Sequence, residues 1–122
     1  MKLQRAAMPI PSEIKSLIER LNLELEEIER DAKEGLNLVR QLMSLFPNNA
    51  SLIQFFAYWQ TTQFFVVNAR RRINETREQL INQPRESKIV RELGTDLSTL
   101  LGEVIETKIR SRSLLDRLRN NP

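Results

Sequence analysis

The chain has no cysteine and no histidine, only three glycines, and five prolines, all at Pro9, Pro11, Pro47, Pro84 and Pro122. Each scarcity excludes something. Without cysteine there are no disulfides and no thiolate metal ligands, and without histidine the commonest general base and zinc ligand are missing. Gly35, Gly94 and Gly102 stand apart, so there is no glycine-rich loop to cradle a phosphate. No catalytic, cofactor-binding or metal-binding residue is assigned, and the chain is read as non-enzymatic. The nearest approach to a metal site is two carboxylate pairs, Glu24 with Glu27 and Glu103 with Glu106. Each pair shares a helix face, but the two are expected to lie apart along the molecule instead of converging on a magnesium ion.

Charge is also absent over one long stretch, from Gln41 to Ala69, a run of 29 residues. Pro47 and a scatter of Asn, Gln and Thr break that run. It falls short of the roughly 20 predominantly apolar residues that span a bilayer, so no transmembrane segment is expected. The opening MKLQRAAMPIP has basic residues but no apolar run of the kind a secretory leader needs, and the expected location is cytoplasmic.

What is present is ordinary for one soluble domain: 122 residues, 40% hydrophobic and 29% charged, with a formal net charge of +3. The proline-free stretches carry heptad spacing, in which apolar residues alternate at intervals of four and three and keep one stripe facing a partner helix. In the first stretch the seam is Ile14, Ile18, Leu21, Leu25, Ile28, Ala32, Gly35, Val39, Leu42 and Phe46. In the second it is Leu52, Phe56, Trp59, Val66, Ala69, Ile73, Thr76 and Leu80. In the third it is Leu93, Leu97, Leu100, Val104, Thr107, Ser111, Leu114 and Leu118.

Ser12 offers an N-cap for the first helix, and Asn48, Asn49 and Ser51 offer caps for the second. Pro47 disfavours helical geometry at Phe46, and Asn82-Gln83-Pro84 breaks the second helix. The expectation is an all-α, elongated antiparallel three-helix bundle with coiled-coil-like seams. Its helices run over about 12–46, 51–81 and 85–119, after an N-terminal arm of residues 1–11. Gly35 and Gly102 are expected to make room for the aromatic segment of the middle helix.

That segment, SLIQFFAYWQTTQFFVVNARRR, holds six of the seven aromatic residues of the chain. Its apolar residues run nearly all round the helix, which predicts burial on every side. The third helix has a second apolar stripe, Leu101, Ile105 and Ile109, off its main seam. Ile53, Phe64, Val67, Leu101, Ile105 and Ile109 are therefore the candidate partner interface at an aromatic end of the rod, with a symmetric dimer as the simplest way to bury them.

The cations supply an alternative. Arg70, Arg71, Arg72, Lys108, Arg110 and Arg112 are candidate anion or nucleic-acid contacts. The competing account pairs the arginine triplet with Glu26 and Glu27 of the first helix, fixing register. The leading expectation is a protein-interaction module (a scaffold, adaptor or regulatory subunit) whose partner is its own copy or another protein. Nucleic-acid binding comes second, and peripheral membrane-surface binding third.

Overall fold

Heptad-spaced apolar residues, uninterrupted by proline, fold the chain into three helices: α1, Ser12–Leu45; α2, Ala50–Asn82; and α3, Ser87–Asn120. The computed structural model describes residues 10–82 and 86–120. Gln83, Pro84 and Arg85, assigned above to the second turn and the start of the third helix, lie outside the described residues, as do residues 1–9 of the arm. Each helix is about 50 Å long at 1.5 Å per residue. The helices pack on one another as an all-α three-helix bundle.

The helix ends follow local chemistry. α1 begins one residue earlier in register than expected. Pro11 occupies the N-cap position, its carbonyl accepts from Lys15 N at 2.9 Å, and Ser12 is already helical with no side-chain cap. Phe46, held out of helical geometry by the proline that follows, closes α1 by donating its N–H to the Leu42 carbonyl. Asn49 is the residue that caps α2: its Oδ1 accepts the Leu52 N–H at 3.1 Å, satisfying one of the free donors at the helix start.

The core forms in two blocks along the rod. One joins Ile14, Ile18, Leu21, Leu25 and Ile28 of α1 to Val66, Ala69, Ile73 and Leu80 of α2 and to Leu97, Leu100 and Val104 of α3. The other joins Ala32, Leu36 and Val39 to Leu52, Trp59, Leu115 and Leu118. Most residues of the seams read from spacing are buried, while Leu42, Phe56, Thr76, Leu93, Thr107 and Leu114 on the same seams are half-buried. Phe46 is exposed, because it lies in the turn and not on the helix. Leu36, Thr62 and Leu115 are buried although they lie beside the seams.

α1 is the helix that packs along both neighbours, whereas α2 and α3 approach each other at few points. The shared helix needs the broad buried stripe, and α1 has it. Within one chain the neighbours of α2 cover only part of its apolar surface: Ile53, Phe64 and Val67, three of the candidate partner-interface residues, face solvent.

Gly35 has a definite task. A Cβ placed there would overlap Cε2 of Trp59 and stand 2.6 Å from its Cδ2 and Cζ2, so α1 lacks a side chain where the indole lies flat against it. Trp59 is fully buried, and its Nε1 makes no hydrogen bond, so packing alone holds the ring. Gly102 does not share this role. A Cβ there would meet nothing within 4 Å, and the expectation that it makes space for an aromatic residue is corrected.

Candidate interaction surface

The charged candidates come first, because the fold gives each of them a carboxylate. Arg70 on α2 forms a two-pronged bond with Glu29 on α1, Nη1 to Oε2 at 2.9 Å and Nη2 to Oε1 at 3.3 Å. The donated hydrogen bond holds the Glu29 carboxyl below its ordinary range. Arg72 reaches Glu103 of α3 at 3.4 Å, and Arg71 stays on its own helix beside Asn68 and Glu75. The triplet thus does pair between helices in part, but with Glu29 and Glu103 in place of Glu26 and Glu27. Glu29 lies within one helical turn of Glu26 and Glu27, a shift that a register reckoned through a turn allows, whereas Arg72 turns to α3 instead of α1.

The cations of α3 face α1. Lys108 Nζ donates to Glu24 Oε1 at 2.7 Å and lies 3.6 Å from Glu27 Oε2, a setting that raises the Lys108 pKa, chiefly through the Glu24 bond. An ammonium therefore stands where the Glu24 and Glu27 pair was considered for magnesium. Among the described residues no group of three or more Asp or Glu is placed to hold a metal ion. Arg112 Nε donates to Asp31 Oδ2 at 3.1 Å, and Arg119 grips Glu34 through two bonds of 2.6 Å that lower the Glu34 pKa. Arg110 pairs with Glu106 one turn back on α3.

Lys108, Arg112 and Arg119 are thus the other half of a ladder with the acids of α1. The pairings expected above, between the first and second helices, are therefore incomplete. Those expectations followed the chain through its turns and paired only consecutive helices. They never set α1 beside α3, which run parallel.

The apolar candidates divide differently. Phe64 is 68% exposed, Val67 63% and Ile53 50%, all on α2. On α3, Ile109 is 63% exposed, while Leu101 and Ile105 are half-buried and Leu101 packs against the first core block. At 100° per residue, Ile53 and Phe64 project about 100–140° away from Leu52 and Trp59 on α2, and Ile109 projects nearly opposite Ser111 on α3. Four of the six candidates, Ile53, Phe64, Val67 and Ile109, are exposed, on two different helices.

The outer face of α2 carries more than the three residues singled out above. From Ala50 to Val67 its exposed residues are Ala50, Ser51, Ile53, Gln54, Ala57, Gln60, Thr61, Phe64 and Val67, and none is charged. Exposed helix faces elsewhere in the molecule are dense with Lys, Arg, Glu and Asp. A face of this length without one charge, about 25 Å of helix, is unusual for a surface in water. Three of its residues, Ile53, Phe64 and Val67, are candidates from the sequence, and the small and polar residues between them are not.

Two grooves flank α3. One, of about 1240 Å³, runs between the first halves of α1 and α3 and is floored by Ile14, Leu17, Val90 and Leu101, with Arg20 and Arg91 at its rim. A smaller one, of about 430 Å³, lies beside Tyr58, Ile109 and Leu114. Tyr58 reaches across from α2 to share a hydrogen bond with Ser111 at 3.2 Å. Among the described residues no helix is long and apolar enough to cross a membrane. No protein-family model, curated protein or solved structure matches this chain.

Proposed function

We propose that this protein is a non-enzymatic helical interaction module, a scaffold, adaptor or regulatory subunit, whose contact surface is the outer face of α2 between Ala50 and Val67. The observation that carries the reading is the exposure of Phe64, Val67 and Ile53 on a face that has no charged residue. Fully burying a side chain of this kind stabilises by about 1.5–3 kcal/mol, so covering the exposed portions would contribute about 1–2 kcal/mol each. Such a gain is available only to a partner.

The nucleic-acid alternative has weaker support. Arg70, Arg72, Lys108, Arg110 and Arg112 each share a carboxylate within 3.6 Å, and Arg71 has Glu75 at 3.8 Å. Binding to phosphates would have to compete with those pairs.

The test compares wild type with Phe64→Glu, by light scattering and as bait for other proteins. Because Phe64 lies outside both core blocks, the variant is expected to keep its helix content and to lose an association that the wild type makes. A wild type that associates with nothing the variant lacks would refute the reading. Unfolding of the variant would place Phe64 in the core instead.

A further inference from the structure

The exposed residues of α2 have an order that composition does not reveal. Ala50, Ile53, Ala57, Gln60, Phe64 and Val67 succeed one another at intervals of three, four, three, four and three. All six are exposed. This is a second heptad seam, on the side of α2 away from the core, complete with the alternation that lets two helices interlock. A helix with two opposed seams packs on two sides, and the bundle supplies a partner for only one of them.

We infer that the partner for the second seam is the α2 helix of another copy of this chain, running antiparallel across a two-fold axis. The inference rests on the interaction-module reading above and names its occupant. Three observations point to a second copy.

The first is self-complementarity. With the axis between Ala57 and Gln60, every seam residue meets another seam residue: Ala50 meets Val67, Ile53 meets Phe64, and Ala57 meets Gln60. Ala50 opposes Val67 and Ala57 opposes Gln60, a small residue against a larger one in each, while Ile53 and Phe64 supply the bulk of the contact. A two-fold interface needs one surface to fit itself in this way, and an unrelated partner would not.

The second is charge. A parallel pairing would bring the Arg70, Arg71 and Arg72 clusters of the two copies side by side. The antiparallel pairing sends them to opposite ends, beyond the uncharged stretch. The third is the flanks. Gln54 and Thr61, beside the seam on one flank, are exposed and neutral, so that edge of the apolar pairs can hydrogen-bond in either copy without like-charge repulsion.

The chain has no cysteine of its own, which makes cross-linking clean. Ala50→Cys and Val67→Cys variants of the full chain are prepared separately, checked for unchanged helix content, and oxidised alone and as a mixture. A disulfide requires Cα atoms about 4.4–6.8 Å apart. In the antiparallel register residue 50 meets residue 67 of the other copy, while residue 50 stands about 25 Å along the axis from its own counterpart. The expected result is a covalent dimer from the mixture and none from either variant alone.

Dimers from each variant alone would show a parallel contact and overturn the inference. So would a wild-type dimer that gives no mixed cross-link. If Ala50→Cys weakens the start of α2, Ile53→Cys with Phe64→Cys tests the same register. On the wild-type background, Phe64→Ala is expected to raise the dimer dissociation constant roughly tenfold or more. A wild type that stays monomeric at every concentration, while Phe64→Glu abolishes capture of a different protein, would refute self-pairing and leave the module reading intact. A monomer with no such capture would remove both.

Discussion

Replacing Gly35 with alanine should destabilise this protein, although the same change in an ordinary helix stabilises it. Alanine is preferred to glycine inside a helix by about 0.8–1 kcal/mol. At position 35 the added methyl group would collide with three atoms of the Trp59 indole, two of them at 2.6 Å. The ring is a rigid bicycle, fully buried, so no flexible end can swing aside. Relief requires the indole or the α1 backbone to move by about 1 Å into a packed interior. Overpacking of that kind typically costs about 1–3 kcal/mol, and contact with three atoms of a buried ring places it at the upper end.

The net expectation for Gly35→Ala is a loss of about 2 kcal/mol. Gly102→Ala, where nothing stands within 4 Å, should instead gain about 0.5–1 kcal/mol. Urea unfolding followed by circular dichroism measures both. Taking about 2.1 cal/mol/K of unfolding entropy per residue, each kcal/mol corresponds to roughly 4 °C in Tm for a chain of 122 residues. Trp59 is the sole tryptophan, so its emission reports directly on the disturbed site. Trp59→Phe should recover part of the loss when added to Gly35→Ala, because the smaller ring vacates the overlap. A Gly35→Ala variant as stable as wild type, with unchanged emission, would refute the packing argument.

Two further expectations concern local interactions. Asn49→Ala removes the acceptor for the Leu52 N–H and should cost about 1 kcal/mol in urea midpoint with no change in slope. Acid should weaken the bundle through Glu29 and Glu34, whose carboxyls are held below the ordinary glutamate range by hydrogen bonds from Arg70 and Arg119. Their contribution is complete above the unfolded value and is lost as pH falls through the lower folded one. Stability should therefore be flat above about pH 5.5 and decline below 4.5. Glu29→Gln should flatten that decline, and an undiminished acid response in the variant would exclude Glu29 as a source.

The helices were legible because proline placement and heptad spacing act locally. Pro47 ended α1 at Phe46 for the same steric reason in the sequence as in the structure, and Leu21, Leu25, Trp59 and Val104 fell on their seams. The partners of the charged residues were less legible. Lys108 and Glu24 are 84 positions apart, and only the parallel adjacency of α1 and α3 unites them. The apolar residues that run nearly all round α2 call for burial on every side, by the bundle or by a partner. The hydrophobic pattern of a helix states how many sides want cover, and it does not state whether the cover is intramolecular. The regular spacing from Ala50 to Val67 was present in the sequence, hidden by attention to the aromatic residues and not to the alanines between them.

The charge ladder between α1 and α3 also bears on a choice that the core leaves open. Three antiparallel helices can be arranged around a common seam in two ways, turning left or right, and the same apolar stripes would fill either interior. The two hands exchange the flanks on which α2 and α3 lie beside α1. In the observed hand Lys108, Arg112 and Arg119 meet Glu24, Asp31 and Glu34. In the other hand those three cations would turn toward the first half of α2, which has no charged residue from Ala50 to Ala69 and so no carboxylate to receive them. Exposed pairs of this kind contribute only about 0.2–1 kcal/mol each to stability. Forfeiting all of them together is enough to tilt a choice between two otherwise equal folds, so the stretch of α2 that carries no charge helps decide the chirality of the bundle.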